Sequence, residues 1–274
     1  MTATAISVSP PQLPEQRVTQ ARVIRSEWTK LRSLRSTVIS LLLAVVFILG
    51  LSALVPEVVV HHWPPHDPND LANFDPTGVS LAGVFLAQLA IGVLGVLVVT
   101  GEYATGMIRA TMCAVPRRLA VLWAKVLVFG SVTLVLTIPA ALAAFAIGQS
   151  ILTRQHIQTS FSQPNVTRAV IGAALYVTVV GVLGLALGAL IRNTAGGIAS
   201  LFGLLFVAPV VVHFLPSSWA DPIDKYLPSS AGQALMQVRP DSSSLSPWVG
   251  FTVFCLYAVA ALIAAAVALR RRDV

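Results

Sequence analysis

The chain has 274 residues, of which 56% are hydrophobic and only 11% charged, and its mean hydropathy is +0.81. So few charges cannot clothe a water-soluble fold of this length. The net charge is +7, but the basic residues sit at the ends of apolar runs and not in one patch, which argues against nucleic acid as a partner.

Residues 1–16 carry Pro, Ser and Thr without periodicity and are expected to be disordered. In 17–35, Ala21, Ile24, Trp28 and Leu31 recur at helical spacing, with Arg22, Arg25 and Arg32 beside them. That pattern predicts an amphipathic helix lying in the membrane interface, its apolar face in lipid and its Arg side chains near anionic headgroups.

Uncharged runs of about 20 residues suffice to cross the hydrocarbon core as helices. They predict spans at 37–57, 79–100, 119–148, 169–191, 196–215 and 247–269. The fold class expected is therefore all-α, a polytopic membrane protein whose 36–274 region holds six transmembrane helices. The first apolar run follows a long basic segment and reads as a retained span, not as a signal peptide.

Between the first two spans, His61, His62, His66 and Asp67 could suggest a metal site, but Pro64, Pro65 and Pro68 break any ligand spacing and no metal is expected. The loop at 101–118 is helix-compatible from Glu102 to Val115 and stops at Pro116. Lys125, just inside the third span, is expected to snorkel back to the interface. The fourth span carries Gly184 and Gly188 in a GxxxG pattern, read as a packing contact and a candidate subunit interface. A polar segment at 216–246 has too little apolar length to cross, and its 229–238 piece is expected to form a short helix dipping into the outer leaflet. Cys113 and Cys255 lie too far apart in this topology to form a disulfide.

The loop charges fix an orientation. Fourteen of the 18 basic residues fall on one side: Arg17, Arg22, Arg25, Lys30, Arg32, Arg35, Arg109, Arg117, Arg118, Lys125, Arg192 and Arg270–Arg272. Arg154, Arg168, Lys225 and Arg239 fall on the other, with seven of the 11 acids: Glu57, Asp67, Asp70, Asp75, Asp221, Asp224 and Asp241. By the positive-inside rule both termini are cytoplasmic. Arg192 and Arg270–Arg272 are expected to serve topology alone.

No G-x-x-x-x-G-K-[ST] phosphate loop, G-x-S-x-G elbow or H-E-x-x-H helix is present, so the chain is expected to have no ATPase or hydrolase activity of its own. No pair of carboxylates lies within the predicted spans to relay protons or ions. Energy for transport would come from a partner docking on the cytoplasmic face.

Glu102-Tyr103-Ala104-Thr105-Gly106-Met107-Ile108-Arg109, then Ala114-Val115-Pro116-Arg117-Arg118 and Lys125, resembles the loop after span two in permease subunits of the second class of ABC exporters. Met107 stands where Thr is more usual. Arg25-Ser26-Glu27-Trp28-Thr29-Lys30-Leu31-Arg32-Ser33 resembles actinobacterial members in particular.

The resemblance implies an exporter of a hydrophobic or amphipathic substrate in the cell membrane. Two six-span permeases, of the same or a related chain, would join two copies of an ABC ATP-binding subunit. This chain would bind no cofactor, ATP and Mg residing on that partner. The loop would be a coupling helix, with Glu102, Gly106, Arg109, Pro116, Arg117 and Arg118 facing the ATPase, and Glu102 placed at the positive end of the helix dipole and free to pair with a basic residue of the connecting helix or the ATPase. For Arg109, Arg117 and Arg118, topology and headgroup binding stand beside that role. The N-terminal helix would be the connecting helix, with Arg25, Trp28, Lys30 and Arg32. The external segment would close the outer end. Phe85, Gln88, Phe202 and Phe206 are candidate lining residues of the substrate path. A non-transporting immunity or sensor component and an ion-coupled secondary transporter are the alternatives.

Overall fold

The computed structural model describes residues 19–65, 74–115, 118–239 and 244–271. The expectations for residues 1–16 and for Arg17, His66, Asp67, Asp70, Pro116, Arg117, Asp241 and Arg272 lie outside them. The described residues form helices and their connections, with no strand among them. Six helices are long and apolar enough to cross a membrane, and the chain is an all-α polytopic membrane protein.

Helix α1 (Gln20–Ser33) precedes the first span, α2 (Arg35–His61). A short helix α3 (Pro76–Ser80) leads to the second span, α4 (Val84–Ala104). The 8-residue α5 (Met107–Ala114) leads to the third, α6 (Arg118–Leu152). The fourth is α7 (Val166–Ile191). The fifth is composite: α8 (Thr194–Phe202), a π turn at Gly203–Val207, then α9 (Ala208–His213). Helices α10 (Ser217–Asp224) and α11 (Pro228–Gln233) precede the sixth span, α12 (Pro247–Arg271). Because the spans alternate in direction, α1, α5 and the start of α6 share one end of the bundle, the α1 end, with the C-terminal ends of α4, α7 and α12.

The second span starts later than hydropathy predicts, at Val84 and not at 79. Asp75 caps α3 by accepting from the Thr77 amide at 2.9 Å, and Pro76 occupies its first turn. In the fifth span, Pro209 has no N–H to offer the carbonyl a turn earlier, and the helix widens into the π turn.

Helix α7 is the centre of the bundle: 67% of its most apolar window is buried, against 17% for α2 and 17% for the fifth span. It packs on α4, α6 and α12. Its contact with α4 is backbone to backbone, since a β-carbon on Gly95 would overlap the Gly181 carbonyl and one on Gly184 would overlap that of Gly92. Gly188 meets the Val96 backbone. The GxxxG pair therefore packs α7 on α4 within the chain and is not a subunit interface.

The described residues of the 216–246 segment form no helix long enough to cross. The short helix expected there is α11, and it dips into the bundle, not into lipid. Ala231, Gly232, Ala234 and Leu235 are buried, and Gly232 lies against Tyr176 and Phe254. Trp219 and Tyr226 remain exposed.

Candidate functional site

At the α1 end the chain buries three charges and half-buries a fourth. Glu27 on α1, Glu102 on α4 and Lys125 on α6 are each 4–5% exposed. Lys30, one turn after Glu27, has a side chain 26% exposed. The Lys125 ammonium donates to Glu27 Oε2 at 2.7 Å and to Glu102 Oε1 at 2.8 Å. The Lys30 ammonium donates to Glu27 Oε1 at 2.8 Å and to Glu102 Oε1 at 2.9 Å. Acid and base alternate around a closed ring of net charge zero, drawn from three helices.

Lys30 also donates to Thr111 Oγ1 on α5 at 3.2 Å, so the ring reaches a fourth helix. Burial alone would push the Lys30 ammonium down, but hydrogen bonds and charge from Glu27 and Glu102 outweigh it and hold Lys30 above the ordinary lysine value.

Local sequence explains the placement. On α1, Val23, Glu27 and Leu31 recur every four residues and are the buried line. Val23 packs on Val121 and Ala124 of α6, with Met112 and Val115 beside them. Of the stripe Ala21, Ile24, Trp28 and Leu31, Ala21 and Trp28 stay exposed, while Leu31 is buried with Val23 and Glu27, the line through which α1 packs on protein. Lys125 does not snorkel. Two carboxylates come to it, so its charge is satisfied inside the bundle.

Contrary to expectation, Glu102 does not open the loop helix, since α5 begins at Met107. It lies in the last turn of α4, the negative end of that dipole, and the two lysines hold it there. Gly106 separates it from α5 with φ of 70°, a left-handed conformation natural to glycine. Thr105 closes α4 by donating to the Gly101 carbonyl at 2.9 Å. Val115 is extended after α5, as expected of a residue before proline. Glu27 and Glu102 share both lysines, but Glu27 lies on α1 outside the spans, so this pair is not one within the membrane-spanning segments.

The other predicted residues divide. Arg25, Arg32, Gly106 and Arg109 are exposed at this end. Arg118 donates to the Leu269 carbonyl at 3.1 Å and Arg192 to that of Ala268 at 3.3 Å, so both satisfy the last turn of α12. The Arg192 guanidinium also lies 5.3 Å from the Tyr103 ring centre, a structural role beyond topology. Phe85, Phe206 and Phe202 form an aromatic chain, with ring centres 5.6 and 5.4 Å apart, and Phe85 is 56% exposed. Gln88 is buried inside the bundle, accepting from the Tyr176 hydroxyl at 2.6 Å.

Sequence reasoning passed over Glu27 and Thr111 as site residues. The available signal for Glu27 was an acid within an otherwise basic helix, spaced four residues from Val23 and from Leu31. Among the described residues no three His, Cys, Asp or Glu gather as a metal site, and both cysteines are free. No protein-family model matches this chain, and no curated protein matches it.

Proposed function

We propose that this chain is the transmembrane permease subunit of an ATP-driven exporter of the second ABC class, in the cell membrane with both termini cytoplasmic. The observation that carries the reading is the ion ring. It ties α1 to α4 and α6 and, through Thr111, to α5. Helices α1 and α5, the connecting and coupling helices of this reading, thus form one unit fastened to two spans. A push on that unit by a partner ATPase would be delivered to α4 and α6 without needing a flexible joint. Exposed Arg109 on α5 and Arg25 and Arg32 on α1 offer the charged contact surface. The Phe85–Phe206–Phe202 chain, exposed at Phe85 and half-buried at the other two, supplies an apolar wall for a hydrophobic or amphipathic substrate, completed by a second six-span subunit.

Affinity capture of the chain from native membranes tests the partner: a P-loop ATP-binding subunit in equal amount is expected. In the reconstituted assembly, Arg109→Glu is expected to weaken that capture and lower substrate-stimulated ATP hydrolysis at least tenfold. An ion-coupled transporter is the second reading, favoured by the buried Glu27 and Glu102 carboxylates. Transport that follows an ion gradient and survives ATP depletion would replace the first reading by the second.

A further inference from the structure

On the outside of the bundle, α2 and α6 leave a groove of about 380 Å³ between them. Val38 and Leu42 of α2 form one wall, Val132, Val135 and Leu136 of α6 the other, and Trp28 of α1 closes it at the α1 end. Val38, Leu42 and Val135 are exposed, so the groove opens sideways along two helices long and apolar enough to cross a membrane. The Ser131 hydroxyl in its wall donates to the Val128 carbonyl of its own helix at 3.0 Å. Beyond the indole, therefore, the groove calls for an apolar occupant.

The α1 end of the groove offers only donors. Arg35 opens α2 one turn before Val38 and on the same face, and Arg32 stands one turn after Trp28 on the same face of α1. Both are exposed, and their guanidinium groups have no hydrogen-bond or ion-pair partner among the described residues. The Trp28 indole N–H has none either. The described carboxylates at this end, Glu27 and Glu102, sit in the ring and are each held by both lysines. No described group answers the charge of Arg32 and Arg35.

We propose that this groove holds one anionic phospholipid, its phosphate on Arg35 and the Trp28 indole N–H and one acyl chain between α2 and α6. Arg32 adds positive charge beside the phosphate. Apolar depth below a cationic, donor-only end at the membrane boundary matches a lipid with a net negative headgroup. A zwitterionic lipid brings an ammonium for which the described residues of this end hold no free carboxylate. A second copy of the chain fits less well. Copies in one membrane share an orientation, and the other described acids, Glu57, Asp75, Asp221 and Asp224, all lie at the opposite end of the bundle. The site needs only that α2 and α6 cross a bilayer and does not rest on the transport reading.

Phosphatidylglycerol is the probe, with phosphatidylcholine and phosphatidylethanolamine for comparison. The purified full chain in detergent is titrated with each lipid, and retained lipid is counted by native mass spectrometry. Lipids brominated on the acyl chain report on the groove by quenching tryptophan fluorescence, the Trp28 part being the difference between wild type and Trp28→Phe. Val135→Trp, at a position 73% exposed, fills the groove without disturbing the core. Leu54→Trp, at an exposed position further along α2, and Arg271→Gln, at the exposed end of α12, are the controls.

One phosphatidylglycerol per chain is expected to be retained about tenfold more tightly than either zwitterionic lipid. Arg35→Gln should weaken it about fivefold and Trp28→Phe about threefold. Val135→Trp should abolish it, and both controls should keep it. Should Val135→Trp fail to accumulate, the quenching decides: brominated phosphatidylglycerol must quench Trp28 more strongly than brominated phosphatidylcholine. Equal retention of the three lipids, retention unchanged by Arg35→Gln or Val135→Trp, or an equal loss on Arg271→Gln would overturn the assignment. A chain dimer that Val135→Trp dissolves while bound lipid stays unchanged would give the groove to a second copy instead.

Discussion

The two ends of the bundle solve the burial of polar groups in opposite ways. The α1 end closes a ring of four charges among α1, α4 and α6, with its ion-pair distances between 2.7 and 2.9 Å. The opposite end relies mostly on neutral bonds, with one part-buried cation, Arg168, donating to the Gln237 carbonyl at 2.6 Å. There Tyr176 donates to Gln88. Gln149 donates to Ser80 Oγ at 2.9 Å and to the Pro76 carbonyl at 3.0 Å. An ion pair there, Arg154 with Glu57, has side chains 59% and 48% exposed. Neutral bonds fix packing at modest cost. Buried charges are costly if any partner leaves, so the ring binds its helices into a unit that moves together or not at all. That contrast places the stiff, charge-locked joint where α1 and α5 sit, and leaves the other end to ordinary packing.

The sharpest way to break the contrast is Lys125→Met, which strands Glu27 and Glu102 on Lys30 alone. It is expected to cost about 3–5 kcal/mol, seen as a lowered unfolding midpoint in detergent. Adding Glu102→Gln should recover part of that loss, and a strictly additive double mutant would mean the ring does not act as a unit. Next comes Tyr176→Phe at the opposite end. It leaves Gln88 Oε1 without its donor, for a loss of about 1–3 kcal/mol by the same measurement.

Lys30→Met should fall lower, at about 1–2 kcal/mol, because Lys30 is partly solvated. Its pH dependence has a definite sign. Lys30 is held above its ordinary value of 10.5, so its contribution is full below about that pH and is lost as pH rises through the raised value. Alkaline titration should therefore show the gap between wild type and Lys30→Met constant near neutrality and closing only above pH 10.5. A gap that closes already between pH 7 and 9 would mean the two carboxylates do not hold the ammonium. The smallest effect is expected for Arg154→Ala, about 0.5 kcal/mol or less and abolished by salt. A loss as large as that of Lys125→Met would erase the distinction between the two ends.

Much of the fold was legible because its governing cost is local. A run of about 20 uncharged residues must cross as a helix whatever surrounds it, which is why five predicted spans agree closely with the structure. The second was displaced by Asp75 and Pro76, whose capping chemistry builds α3 and which hydropathy does not weigh. The loop at 101–118 was legible as a segment, but its helix begins at Met107, because Gly106 adopts a left-handed turn that a propensity reading of 102–115 passes over.

What the sequence determined by itself is the number of spans, their approximate bounds and the bias of basic residues to one end, because each follows from the cost of placing a charge in hydrocarbon. What only the tertiary structure decided is which charges escape that rule. Glu27, Glu102 and Lys125 are separated by 75 and 23 residues in the chain, and each alone reads as an interfacial group. Only the packing of α1 on α6 and of α4 beside them brings opposite charges within hydrogen-bond distance, and that proximity makes their burial affordable.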